Sequence, residues 1–428
     1  MSPHISVLGN GLRVCAEAVP QYGHGLAAVA LTVAAGSDDD PAGRHGTAHL
    51  VEQLMFPRAE PGPDGAGGHA ALVEGAGGVC NAETHRDHTV FHTTVPAGLL
   101  PDVLAWEARR LRDFAPTDEV IRTETRVIGE EIRGAAGGGR VWDTVLAALY
   151  PGSRDSFGTA AELAGSTARE AVRFFRSHYT APRIVLSVVG DIDTERVTAA
   201  AHDLFAPLAA DAPASARRPY PGPAAVARTA PLPAAFPGAA VGHRLPDPVT
   251  ERTAYLAQVV LAQLLGRSRL PALARSARDG HRLTSATVTC GYYGQWLTSA
   301  APDLSLALLG RAPDTSVDEA VEVWRTVLRE IADRPACAAE HRRAVNSLLV
   351  AWHRQSDSLT TRAVALGRAA LFFAGSGGPD GLPAELSRVT PEQVAGAARA
   401  LLDGPTTVTE LVPETGQDGQ DGQERDAA

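Results

Sequence analysis

The chain repeats itself, and the repeat limits its possible folds more than any other feature. Leu163-Ala164-Gly165-Ser166-Thr167 precedes a helix and a strand ending at Val189. Leu386-Ser387-Arg388-Val389-Thr390 precedes Pro391-Glu392-Gln393-Val394 and a strand ending at Val412. Each Leu-to-Val interval is 26 residues (189 − 163 and 412 − 386). Thr167 and Thr390 read as helix N-caps, because Glu170 and Gln393 stand three positions on and can close a capping box. Two halves that match without a gap predict duplicated α+β domains. The 428 residues suffice for two ordinary domains, and a 44% hydrophobic content can fill two cores. Residues 209–235, rich in Ala and Pro, read as an extended linker between domains at 1–208 and 236–413. The Gly, Gln, Asp and Glu of 414–428 read as a disordered acidic tail.

One short segment in the first half carries chemistry. In His49-Leu50-Val51-Glu52-Gln53-Leu54-Met55 the apolar Leu50, Val51, Leu54 and Met55 recur at helical spacing. The pattern His-x-x-Glu-His on a helix is the inverted zinc-peptidase signature. Its two histidines, at i and i+4, share one face and bind one Zn²⁺. Its Glu lies close enough to take a proton from the metal-bound water. Here Gln53 stands where the second His belongs, and a carboxamide oxygen is a much poorer ligand for Zn²⁺. Further on, Glu124 and Glu131 are seven residues apart, two turns of one helix, and lie on one face. Glu131 suits a third ligand and Glu124 a supporting carboxylate. A solvated face is the plainer reading of any such pair. Zinc binding is therefore expected to be weak or absent. His88 and His92 have the parity to share one strand face, with His85 on the other, so one of them is a conceivable substitute ligand. His69 follows a Gly-rich loop and has no partner at ligand spacing.

The formal charge of −10 argues against nucleic acid as a partner and suits a neutral or basic peptide. No stretch is long and apolar enough to span a bilayer, and no signal peptide is visible. Cys15, Cys80, Cys290 and Cys337 show no paired spacing and read as reduced thiols of a cytoplasmic protein.

Along nearly its whole length the chain resembles the insulinase, or pitrilysin, family of zinc peptidases, in the branch that includes the mitochondrial processing peptidase. Asn10-Gly11-Leu12-Arg13-Val14 is similar to the family's first strand. Gly36-Ser37, then Gly46-x-Ala48-His49, resembles the approach to its zinc helix. Asn81-Ala82-x-Thr84-x-x-Asp87-x-Thr89-x-Phe91 resembles the strand lining its substrate cleft, and Glu124 to Ile132 its distal zinc helix. Phe157-Gly158-Thr159, Phe174-Phe175-x-x-His178-Tyr179 and Leu186-Ser187-Val188-Val189-Gly190-Asp191 resemble the end of its first domain.

The resemblance implies two like domains facing each other, each an antiparallel sheet with helices packed on one face. It implies substrate contacts at Asn81, Ala82 and Thr84. The family also presents an Arg and a Tyr, seven residues apart, from its second domain. Arg275 or Arg278 is the candidate guanidinium here, and Thr284 or Ser285 occupies the Tyr position. Two-chain members close as a clam shell around the peptide, and one chain is often degenerate. The leading expectation is a supporting subunit of a peptide-processing metallopeptidase, with Glu52 a vestigial general base. A homologous partner would carry the intact His-x-x-Glu-His. Two alternatives stay open: a zinc endopeptidase active alone or as a homodimer despite Gln53, and a non-catalytic binding or scaffold protein.

Overall fold

The computed structural model describes residues 3–55, 69–134, 139–211, 226–269, 283–375 and 378–413. The first sheet holds β1 (His4–Val7), β2 (Arg13–Ala18), β3 (Leu26–Val33), β4 (Val79–Thr84), β5 (Thr89–Pro96) and β6 (Ile184–Gly190). Their order is β1-β2-β6-β3-β5-β4. The second holds β7 (Val226–Arg228), β8 (Leu232–Ala234), β9 (Gly238–Arg244), β10 (Leu283–Cys290), β11 (Leu304–Arg311) and β12 (Thr406–Pro413). Its order is β10-β11-β9-β12-β7, with β8 also paired to β12. The path β2-β6-β3-β5-β4 matches β7-β12-β9-β11-β10 strand for strand, so the duplication read from the sequence is a duplication of sheets. Both predicted capping boxes are present, Thr167 with Glu170 and Thr390 with Gln393.

Three details differ from the sequence-based picture. Each sheet is mostly antiparallel, yet β2 runs parallel to β6, and β7 and β8 run parallel to β12. Residues 226–234, expected in the linker 209–235, form β7 and β8, because their alternate residues find an open edge on β12. The tail 414–428 lies outside the described residues.

Third, helices cover both faces of each sheet, by exchange. The helix Gly139–Leu149, in the first half, packs Val145, Leu146 and Leu149 against Ala240, Leu306 and Leu411 of the second sheet. The helix Leu359–Phe372, in the second half, packs Ala363 and Val364 with Ala28, Val90 and Val189 of the first. Each is the third long helix after its half's hairpin, β4–β5 or β10–β11. The exchange explains why β6 is buried at every position and reads as an apolar run broken only at Ser187, rather than as an alternation. Gly367 lets the second helix sit close, since a Cβ there would lie 2.3 Å from Thr32 Oγ1. The remaining helices of the first half cover the other face of its sheet, with Leu31, Phe91 and Leu186 beneath Leu50, Leu104 and Ile128.

The β4–β5 turn joins the halves as well. Arg86 Nη1 donates to the Pro302 carbonyl at 2.5 Å, and Asp87 Oδ2 accepts from the Ala300 and Ala301 N–H groups at 2.7 and 3.1 Å. Among the described residues, no helix is long and apolar enough to cross a membrane.

Candidate active site

The helix Thr47–Met55 is almost wholly buried, and Gln53 is the single residue on it that keeps partial exposure. Asp40, eight residues before Ala48, caps its start. That carboxylate accepts from the Gly46 and Ala48 N–H groups, each at 2.7 Å, and satisfies donors a helix start leaves open. His45 Nδ1 lies 3.0 Å from the same carboxylate. The second wall is the helix Asp118–Gly134. Its buried stripe runs Ile121, Glu124, Ile128, and Glu131 follows at the site.

His49 is held by its back nitrogen. Nδ1 lies 3.1 Å from the Phe157 carbonyl, which can only accept, so Nδ1 carries a proton and Nε2 faces the site. The loop reaches His49 because Gly158 passes against Gly46. A Cβ on Gly158 would lie 2.4 Å from Gly46 Cα, and its φ of +94° also favours glycine. His49 Nε2 is 3.4 Å from Glu131 Oε2 and 3.5 Å from Gln53 Nε2. Thr84, at the end of β4, donates from Oγ1 to Glu52 Oε2 at 2.5 Å.

Burial raises the Glu52 carboxyl above its usual range, against the opposing pull of His49 and Thr84. Burial works the other way on His49, but the bond to Glu131 and the charge of Glu52 outweigh it and raise this imidazole.

The donor set decides what the site can hold. A catalytic zinc takes three protein ligands from imidazole, thiolate and carboxylate. His49 Nε2 and Glu131 Oε2 are two; the third side chain here is the Gln53 carboxamide, a much poorer ligand than imidazole, thiolate or carboxylate. Among the described residues, no group of three or more His, Cys, Asp or Glu side chains is placed to bind a metal. These residues do not fit a catalytic zinc ion.

The structure brings together His49, Glu52, Gln53, Glu131 and Thr84. Glu124 lies buried two turns along the same helix. Asn81 does not join them. It pairs with His92 across the hairpin and faces the exchanged helix, while Ala82 pairs with Phe91 on the zinc-motif side. Arg275 and Arg278 lie outside the described residues. The histidines weighed as substitute ligands are committed elsewhere. His85 and His88 stack with ring centroids 4.3 Å apart, against the expectation of opposite faces, because both sit in the turn before β5. Arg368 Nε donates to His88 Nε2 at 3.0 Å and its Nη2 lies 2.8 Å from His85 Nε2. His69 opens the helix His69–Gly75 and bonds Thr93 Oγ1 at 3.1 Å. Sequence reasoning missed Asp40 and the Phe157 carbonyl; neither has a local signal, since a carbonyl is common to every residue and Asp40 acts across a loop.

Known proteins place this geometry. The model described as Insulinase (Peptidase family M16) matches residues 21–141, and that of Peptidase M16 inactive domain matches residues 167–348. The chain belongs to the insulinase family. An uncharacterized zinc protease of Mycobacterium tuberculosis is 29% identical over 210 residues, 48% of this chain and 47% of that protein. A probable mitochondrial-processing peptidase subunit beta of Arabidopsis thaliana is 28% identical over 216 residues, 48% of this chain and 39% of its own length. The chain thus spans about half, or less, of the curated relatives it matches. A protease from Helicobacter pylori shares the fold with a TM-score of 0.82 at 18% identity, over 96% of this chain and all of that one. The insulinase-family fold is therefore present here, and at the zinc motif the departure from the family pattern is Gln53 in the third-ligand position.

Proposed function

We propose that this chain is a supporting subunit of an insulinase-family metallopeptidase. It binds and positions peptide substrate, while a homologous partner with an intact His-x-x-Glu-His hydrolyses it. The observation that carries this reading is the Gln53 amide, 3.5 Å from His49 Nε2, in the third-ligand position. Glu52 remains beside it as a base without a metal-bound water to act on. The substrate path is supported by β4, the edge strand of the first sheet among the described strands, whose last residue touches Glu52. An extended peptide can add to such an edge by main-chain hydrogen bonds. A relative named as a subunit beta fits a two-chain assembly. The four unpaired cysteines suit a reducing, cytoplasmic setting.

The test is cleavage of a leader-like peptide by reconstituted pairs. Removing a general base normally costs roughly 10²- to 10⁴-fold in rate. Glu52→Gln in this chain should leave cleavage nearly unchanged, and the equivalent change in the partner should stop it. A collapse of activity with Glu52→Gln in this chain alone, its circular dichroism intact, would make this subunit the catalyst.

A further inference from the structure

The zinc-motif helix meets only one face of β4. Side chains alternate along a strand, and the cross-strand pairs fix the faces. Ala82 and Thr84 pair with Phe91 and Thr89 and look toward the zinc-motif helix. Asn81 and Glu83 pair with His92 and Val90 and look toward the exchanged helix Leu359–Phe372. On that second face the structure forms a half-open cavity of about 620 Å³. Sites for small ligands span roughly 300–1,000 Å³. Its walls come from both halves: Glu83 and His92 from the first sheet, Trp296 from the loop after β10, Trp352 from the helix Ala338–Ser356, and Val364 and Ala365 from the exchanged helix.

The full charges around it already have counter-ions, although Arg252 Nη1 keeps a buried N–H without an acceptor. Arg368 lies 3.5 Å from Glu83, and Arg252 lies 3.0 Å from Glu385 with its guanidinium over the Phe373 ring. A charged guest would lose water without gaining a counter-ion. Two indoles and Phe373 offer ring faces and edges instead.

The cavity begins at Glu83, on a strand whose outer edge has no strand partner among the described residues, with the Ala82 N–H turned to Asn81 Oδ1 at 2.9 Å. A peptide pairing with that edge sends every second side chain to the Glu83 face. We propose that this cavity is a second subsite, which takes an aromatic side chain of a peptide added as a strand to β4. The inference rests on the reading that the chain binds peptide, and it adds what kind of peptide is preferred.

The experiment uses the full chain without a partner and reads fluorescence anisotropy. The probes are two labelled extended peptides rich in Ser and Thr, one with a single central Phe and one with Ala in its place. The Phe peptide should bind roughly 10- to 100-fold more tightly, the order expected for burying one large apolar side chain. Ala365→Trp and Thr361→Trp, each filling the cavity from the exchanged helix, should remove that preference while the Ala peptide still binds. Equal affinity of the wild type for both peptides would overturn the subsite and leave the peptide-binding reading standing. So would a preference that survives in both folded variants. Failure of both peptides to bind at all would overturn both.

Discussion

Replacing Gln53 with His asks whether one side chain separates this site from a zinc centre. His49 Nε2 and Glu131 Oε2 are 3.4 Å apart, and Gln53 Nε2 is 3.5 Å from His49, so three side chains already converge on one point. An imidazole at position 53 keeps the i, i+4 relation and supplies a strong nitrogen donor in place of the carboxamide. Structural zinc sites in small peptides release roughly 10–16 kcal/mol over four ligands, so one more imidazole is worth about 3 kcal/mol. That is on the order of 10²-fold in Kd. The assay is competition against a chromogenic zinc chelator, wild type beside Gln53→His. The variant's thermal midpoint should also rise with zinc, because a ligand that binds only the folded state stabilises it by mass action. His49→Ala in the variant background should cancel both gains. Equal zinc affinity in wild type and Gln53→His, with the helical signal intact, would refute the claim that position 53 faces the His49–Glu131 pair. Hydrolysis need not return with the metal, because Thr284 or Ser285 stands where the family carries its second-domain Tyr.

Three further outcomes follow from the same contacts. Burial works to lower the His45 pKa, but its bonds to Asp155 and Asp40 outweigh this and raise it to about 9. A pKa raised on folding stabilises fully below the unfolded value near 6.5, and the gain of up to about 2–3 kcal/mol is lost as pH rises through 9. Urea midpoints should thus fall across that window, and an equal fall in His45→Gln would exclude His45 as the cause. Gly158→Ala forces a Cβ to 2.4 Å from Gly46 Cα at a φ of +94°, and should cost about 2 kcal/mol or more in chemical denaturation; a neutral result would mean the Phe157 loop is not pinned there. Asp87→Ala removes the carboxylate that accepts from the Ala300 N–H and pairs with His88, while the Ala301 N–H keeps Ser299 Oγ at 2.9 Å. It should cost roughly 2–4 kcal/mol and speed proteolysis between the halves, and wild-type stability would show that the turn does not join them.

The sequence by itself determined the duplication, the helix carrying His49, Glu52 and Gln53, and the facing helix carrying Glu131. Those are local facts: spacing, capping boxes and apolar periodicity fix which residues share a face wherever the element ends up. The defect at Gln53 was legible for the same reason, since an i, i+4 pair needs no tertiary information. Tertiary structure alone decided the rest. The helix Gly139–Leu149 reads as a first-half helix, yet its Val145 and Leu149 complete the second sheet, because an amphipathic stripe says that a face is buried and not against what. Asp40 and the Phe157 carbonyl act on His49's helix and ring from loops that only folding brings near. The parity of Asn81 and Thr84 separated them in principle, but which face of β4 meets Glu52 depended on where the helix landed. Strand period fixes that two faces exist, and packing chooses between them.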